Sequence, residues 1–176
     1  MVDAISWYVL AFVVAATPVV RSVTASSAAD STTVIAPLAV NSGDKNAQAI
    51  DLIAFAQTLK GVPYRYACSD PEKGFDCSGF VMYVFNHFQM TVPRSSIAFT
   101  NIGEEIEIQQ AMPGDVILFT GTDASIRKVG HVGIITQGGD NLSFIHASSG
   151  KAYGVTETVL GPHYKKRLIK VIRLLK

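Results

Sequence analysis

Phe75-Asp76-Cys77-Ser78-Gly79-Phe80-Val81 sets a cysteine where an acidic turn runs into an amphipathic helix. Behind it, Phe80, Val81, Val84, Phe85 and Phe88 recur at helical spacing. That period predicts a helix starting at Cys77, with one face buried and the thiol on an exposed first turn. Free N–H groups and the positive end of the helix dipole favour thiolate over thiol there, and thiolate is the attacking species in cysteine nucleophilic catalysis. Asp76 stands where an N-cap belongs, although its own charge works against the thiolate. A nucleophile of this kind needs a base. Gly130-His131-Val132-Gly133-Ile134-Ile135 and Phe144-Ile145-His146-Ala147-Ser148 each hold a histidine in an apolar stretch. Between them Gly138-Gly139-Asp140-Asn141 reads as a hairpin turn, which puts His131 and His146 on neighbouring antiparallel strands with the register open. The glycines beside His131 are read as leaving its ring room. Cys77 as nucleophile, His131 as base and His146 as orienting residue then form a candidate triad of the thiol-protease kind.

Outward from this centre, the stretch 46–60 carries apolar residues over a broad face and ends at Gly61 and Pro63, which predicts a buried helix. Pro113-Gly114-Asp115 is a turn. After it the stretches 115–120, 130–137, 142–147, 154–159 and 167–174 read as short strands. Helices come first and strands second, the order of an α+β domain with a helical layer packed on an antiparallel sheet.

The chain has 176 residues, nearly half of them apolar, which suits one folded domain with a real core. Its net charge of +1 gives no long-range pull toward nucleic acid and no reason to expect disorder. The four histidines and two cysteines show neither His-x-x-x-His nor Cys-x-x-Cys spacing, which argues against a zinc hydrolase. His87 and His163 are expected at the surface. With two cysteines, a Cys68–Cys77 disulfide is the bland alternative to a reactive Cys77.

Residues 1–25 read as an export signal, or as an uncleaved N-terminal anchor. The apolar run from Ala4 to Val20 is followed by small residues, but Asp3 stands in its leading segment and Pro18 interrupts it. Residues 26–43, rich in serine, threonine and alanine, read as a mobile linker, and 44–176 as the folded domain. Membrane contact is expected only if the first segment stays uncleaved.

Six blocks in order carry a resemblance: Gly61-Val62-Pro63-Tyr64-Arg65-Tyr66, Phe75-Asp76-Cys77-Ser78-Gly79-Phe80, Val92-Pro93-Arg94-Ser95-Ser96, Pro113-Gly114-Asp115-Val116-Ile117-Leu118-Phe119, Gly130-His131-Val132-Gly133-Ile134 and Ile145-His146-Ala147-Ser148. Over roughly Ala47 to Leu174 the chain resembles the NlpC/P60 family of cell-wall cysteine peptidases. The resemblance implies a compact papain-like fold, no metal or organic cofactor, and an exported, monomeric enzyme of the periplasm, envelope or exterior. It also implies peptidoglycan stem peptides or muropeptides as substrates, cut at the bond between γ-D-glutamyl and the diamino acid. Tyr66 is the tyrosine it places beside the cysteine to help hold the oxyanion, and Asp76 and Ser78 are expected to meet the free amine of the stem. Phe99 stands where many relatives carry glutamine, which suggests an apolar lining of the cleft. The basic end, His163 to Lys176, reads as a closing strand with a solvated face rather than a patch for anionic wall polymers. The alternatives are an N-acetylmuramoyl-L-alanine amidase or an acyltransferase on the same fold, and an inactive wall-binding module.

Overall fold

The computed structural model describes residues 45–175. The readings of 1–25 as signal or anchor and of 26–43 as linker lie outside the described residues. The first helix, α1 (Lys45–Thr58), buries Ala49, Leu52 and Ala56 along one stripe. The stripe is narrower than the sequence pattern predicts, because Ile50 is 59% exposed. A two-residue hairpin, β1 (Ser69–Asp70) and β2 (Gly74–Phe75), leads directly into α2 (Cys77–His87). This helix starts where the sequence places it and buries Phe80, Val81, Val84 and Phe85.

Two short 3-10 turns (Ser96–Asn101 and Ile108–Gln110) flank β3 (Glu104–Ile106), and the main sheet follows as β4 (Val116–Thr120), β5 (Val129–Gln137), β6 (Ser143–Ser148) and β7 (Gly154–Val159). A six-residue helix, α3 (Pro162–Arg167), then precedes β8 (Leu168–Arg173). The sheet order is β3-β8-β4-β5-β6-β7, and its ladders are antiparallel. The α+β expectation therefore holds. The terminal segment differs from its reading as one basic strand: its first part is α3, and β8 sits inside the sheet between β3 and β4.

All five residues of β4 are buried, as befits a strand covered on both faces. One face of the sheet packs on α1 and α2 through Val116, Leu118, Val132, Ile134 and Ile145. The other carries Ile117, Phe119, Ile135, Phe144 and Val171, with Tyr164 of α3 against them. The turn before β4 is tied to β8 by Asp115, whose carboxylate accepts the Met112 N–H at 2.8 Å and both Arg173 donors at 2.8 Å. A bidentate pair of this kind fixes direction as well as distance. The segment 61–64 is laid along the start of β7, with Tyr64 N–H donating to the Tyr153 carbonyl at 3.0 Å. No helix among the described residues is long and apolar enough to cross a membrane.

Candidate active site

Cys77 opens α2, and two hydrogen bonds hold that helix end. The Asp76 carboxylate accepts the Gly79 N–H at 2.7 Å, which is the N-cap bond. The Asp76 N–H donates to the Cys68 carbonyl at 2.9 Å, which fastens the preceding loop to the cap. Gly79 makes this approach feasible, since a Cβ there would lie 2.2 Å from the Cys68 carbonyl oxygen. Both cysteines are free thiols, and Cys77 is half-buried rather than exposed. Burial and the Asp76 charge push its pKa up, against the lowering pull of N–H groups at Val132, Ser78 and Cys77 itself. At this helix end desolvation and the Asp76 charge outweigh the backbone donors and hold the thiol pKa above its ordinary value, so an adjacent base is needed to draw its proton. The influence of Val132 sets the sulfur beside the strand residue next to His131.

The two histidines meet side by side. Cross-strand pairing runs Ile134 to Ile145, and His131 Nε2 lies 2.8 Å from His146 Nδ1. His146 Nε2 in turn lies 3.1 Å from the Thr158 hydroxyl of β7. For His131 Nδ1 to accept a proton, Nε2 must carry hydrogen and donate to His146 Nδ1, which places the His146 proton on Nε2, toward Thr158. The neighbouring glycines serve a purpose other than room for the His131 ring. A Cβ at Gly133 would come 3.0 Å from the Ile145 carbonyl and 3.2 Å from the His146 Cβ, and one at Gly130 would meet Gly121 at 2.8 Å. Gly130 admits the backbone of Gly121, and Gly133 admits β6 together with the Phe144 ring, which an added Cβ would meet at 2.8 Å.

In front of the sulfur is a cleft of about 420 Å³ lined by Tyr64, Ala67, Asp76, Arg94 and Gly130 among others. A groove of about 470 Å³ between Met90–Pro93 and Leu174 holds no nucleophile or base. Arg94 grips Asp76 through two bonds, 2.9 and 2.7 Å, and also donates to the Ser78 hydroxyl at 3.2 Å. Asp76 and Ser78 thus already share one cation. Tyr66, expected at the oxyanion, is 85% exposed on the outer lip. Tyr64 is the deeper ring: its phenol pKa is raised by burial and by its closeness to Cys77 and Asp76. Phe99 is fully buried in the core and lines no part of the cleft. His87 and His163 are exposed, as expected, with the His87 ring stacked on Phe55 at 3.8 Å.

The sequence model of the NlpC/P60 family matches residues 61–173, which includes every side chain of this cleft. The chain belongs to the NlpC/P60 family. It is 35% identical over 125 residues to the gamma-DL-glutamyl hydrolase of Bacillus subtilis, covering 70% of this chain and 29% of that protein. It is 36% identical over 96 residues to the probable endopeptidase NlpC of Escherichia coli, covering 54% of this chain and 58% of that protein. The chain therefore spans less than two thirds of the length of these relatives. Among solved structures, an NlpC/P60 family protein from Bacillus cereus superposes with a TM-score of 0.65 at 29% identity, over 73% of this chain and 40% of that one. The sheet and its helical layer are thus the papain-like NlpC/P60 domain.

Within this NlpC/P60 domain the paired imidazoles carry a stability signature. Burial, and next the nearby Arg167 charge, lower the His146 pKa to about 4, and burial holds His131 well below the usual imidazole value. A base with a depressed folded-state pKa takes its proton first in the unfolded chain. Stability is therefore complete above about pH 6.5 and drains as pH falls toward about 4. For His146 alone the loss is on the order of 3 kcal/mol. Thermal melts from pH 7 to pH 4.5 are expected to show a falling midpoint, and the fall should be smaller in His146→Asn; equal falls in both proteins would contradict the assignment.

Proposed function

We propose that this domain is an exported cysteine endopeptidase that hydrolyses peptidoglycan stem peptides between γ-D-glutamyl and the diamino acid. The observation that carries the reading is the half-buried Cys77 at the head of α2, set against β5, whose His131 is bonded to His146 of β6, with an open cleft in front of the sulfur. The names of the relatives, a gamma-DL-glutamyl hydrolase and a probable endopeptidase, support it.

The chemistry starts from two neutral groups. His131 Nδ1 takes the thiol proton as the sulfur attacks the scissile carbonyl, and His146 holds the ring in the required tautomer. The oxyanion is received by the Cys77 N–H at the helix start and by the Tyr64 hydroxyl, in place of Tyr66. His131 then protonates the leaving amine, and afterwards activates water to hydrolyse the thioester. Asp76 and Ser78 face the amine end of the stem, with Arg94 as the fixed counter-charge of Asp76. A cationic amine therefore joins a carboxylate that is already paired.

Mass spectrometry of defined muropeptides, free and crosslinked, after incubation with the wild type and Cys77→Ala tests this directly. Release of L-Ala–γ-D-Glu, or its muramyl form, by the wild type alone is the expected result. Cleavage between muramic acid and L-alanine would make it an amidase, and binding without cleavage would make it a wall-binding module.

A further inference from the structure

Arg167, the last residue of α3, is a buried guanidinium, and among the described residues no aspartate or glutamate forms an ion pair with it. Its donors go elsewhere. Nε donates to the Gly121 carbonyl at 2.8 Å, Nη2 to the Thr120 carbonyl at 3.0 Å, and Nη1 lies 3.2 Å from His163 Nε2, which must therefore present its lone pair. The guanidinium also lies over the Tyr164 ring, 5.3 Å from its centre. Tyr164 connects this charge to the histidines: its ring centre is 5.5 Å from that of His146 and 6.4 Å from that of His131. Burying a cation without a carboxylate is costly, and neutral carbonyls and an aromatic face only partly compensate. Closing the sheet does not call for such an arrangement.

We propose that Arg167 is a positioning residue for the His131–His146 pair: its guanidinium, seated over the Tyr164 ring that both imidazoles contact, adds a positive charge near them, and its grip on Thr120 and Gly121 fixes the strand end that presents His131. The mechanical link is short. Gly121 lies against Gly130, where an added Cβ would sit 2.8 Å from the Gly121 nitrogen, and Gly130 immediately precedes His131. The electrostatic link has few competitors around the pair. From the start of α2 come the Cys77 thiol and, at the cap before it, Asp76, held by Arg94. Phe119 of β4 and Phe144 of β6 are apolar. From β7 comes the Thr158 hydroxyl, with neighbouring Glu157 paired to Lys60 at 3.1 Å. From α3 come Tyr164, kept as the neutral phenol by burial, and His163. In the loop before β5, Asp123 is bonded to Ser125 and Arg127 to the backbone of residues 166 and 168. The nearby Arg167 charge lowers the proton affinity of both imidazoles, second to burial at His146 and third at His131.

The catalytic consequence rests on the peptidase reading; the protonation of the histidines does not. The test is NMR titration of the imidazole C–H signals in the wild type and in Arg167→Gln, whose amide still donates to a carbonyl but carries no charge, alongside kcat/KM against pH. In the wild type neither His131 nor His146 should titrate at pH 6.5 or above. In Arg167→Gln both midpoints should rise by on the order of one pH unit, because removing a like charge makes the imidazolium easier to form. The acid limb of kcat/KM should move up with them. A variant whose midpoints stay put while activity falls evenly at all pH values would reduce Arg167 to a structural role and overturn the proposal. If the glutamine variant does not fold, the wild-type titration decides, and protonation of either histidine at or above pH 6.5 overturns it. Shifted midpoints in a protein that cuts no muropeptide would sink the peptidase reading and leave this one standing.

Discussion

Cys77→Ala is expected to remain folded and to lose stem-peptide hydrolysis by at least about a thousandfold, since removing the nucleophile leaves only binding and oxyanion contacts. The fold should survive because the side chain is half-buried at a helix start, and cutting it to a methyl group removes one atom from the edge of the core. Asp76, Gly79 and Arg94 keep their mutual bonds without it. His131→Ala is expected to lose a similar factor, and the double variant little more, because a thiol that starts protonated is useless without its base. Single-turnover assays beside thermal melts separate lost chemistry from lost fold. A Cys77→Ala protein that kept more than a few per cent of the activity would move the nucleophile elsewhere, and Cys68 is the other thiol of the chain.

Gly79→Ala should be the most damaging single methyl group in the domain. The added Cβ would lie 2.2 Å from the Cys68 carbonyl oxygen and 3.0 Å from Asp76 Oδ1. Neither neighbour can yield cheaply, because the carbonyl holds the Asp76 N–H and the carboxylate holds both the cap and Arg94. Relief requires moving the loop away from α2 or lifting the first turn. Overpacking and a lost cap together should cost on the order of 3 kcal/mol, or roughly 10 °C in Tm. Activity should fall with it, since Cys77 stands in the same turn. Gly121→Ala, where an added Cβ meets nothing within 4 Å, is the control and should stay within about 0.5 kcal/mol of wild type. Equal Tm values for the two variants would mean that the Cys68 loop is not held.

The parts legible in the sequence are those written in a period. Phe80, Val81, Val84 and Phe85 announce α2 and its start at Cys77, and the apolar runs around His131 and His146 give β5 and β6 within a residue or two. What stayed hidden depends on contacts distant in sequence. Tyr64 and Tyr66 are two apart in an irregular segment where no period says which ring turns inward; the bond from Tyr64 to Tyr153 decides it. The Arg94–Asp76 pair joins residues 18 apart. The position of Phe99 after the Pro93-Arg94 block suggests a place in the cleft, whereas its ring is buried in the core. The six residues of α3 are too few and too basic to show a helical stripe. The state of the thiol depends on desolvation, which no spacing records.

The place of β8 bears on the order in which the sheet can close. Later in the chain than the other described strands, it is inserted between β3 and β4, and Arg167 immediately precedes it. Until it arrives, β4 shows an unpaired edge, Asp115 lacks Arg173 and β3 is cut off from the sheet, while β4 to β7, two of which carry the histidines, can already pair. A nascent chain that already contains Cys77, His131 and His146 therefore still presents an open strand edge on β4, beside the strand that carries His131. Docking of β8 is what closes that edge, so a strand inside the sheet also guards it against pairing with a second chain.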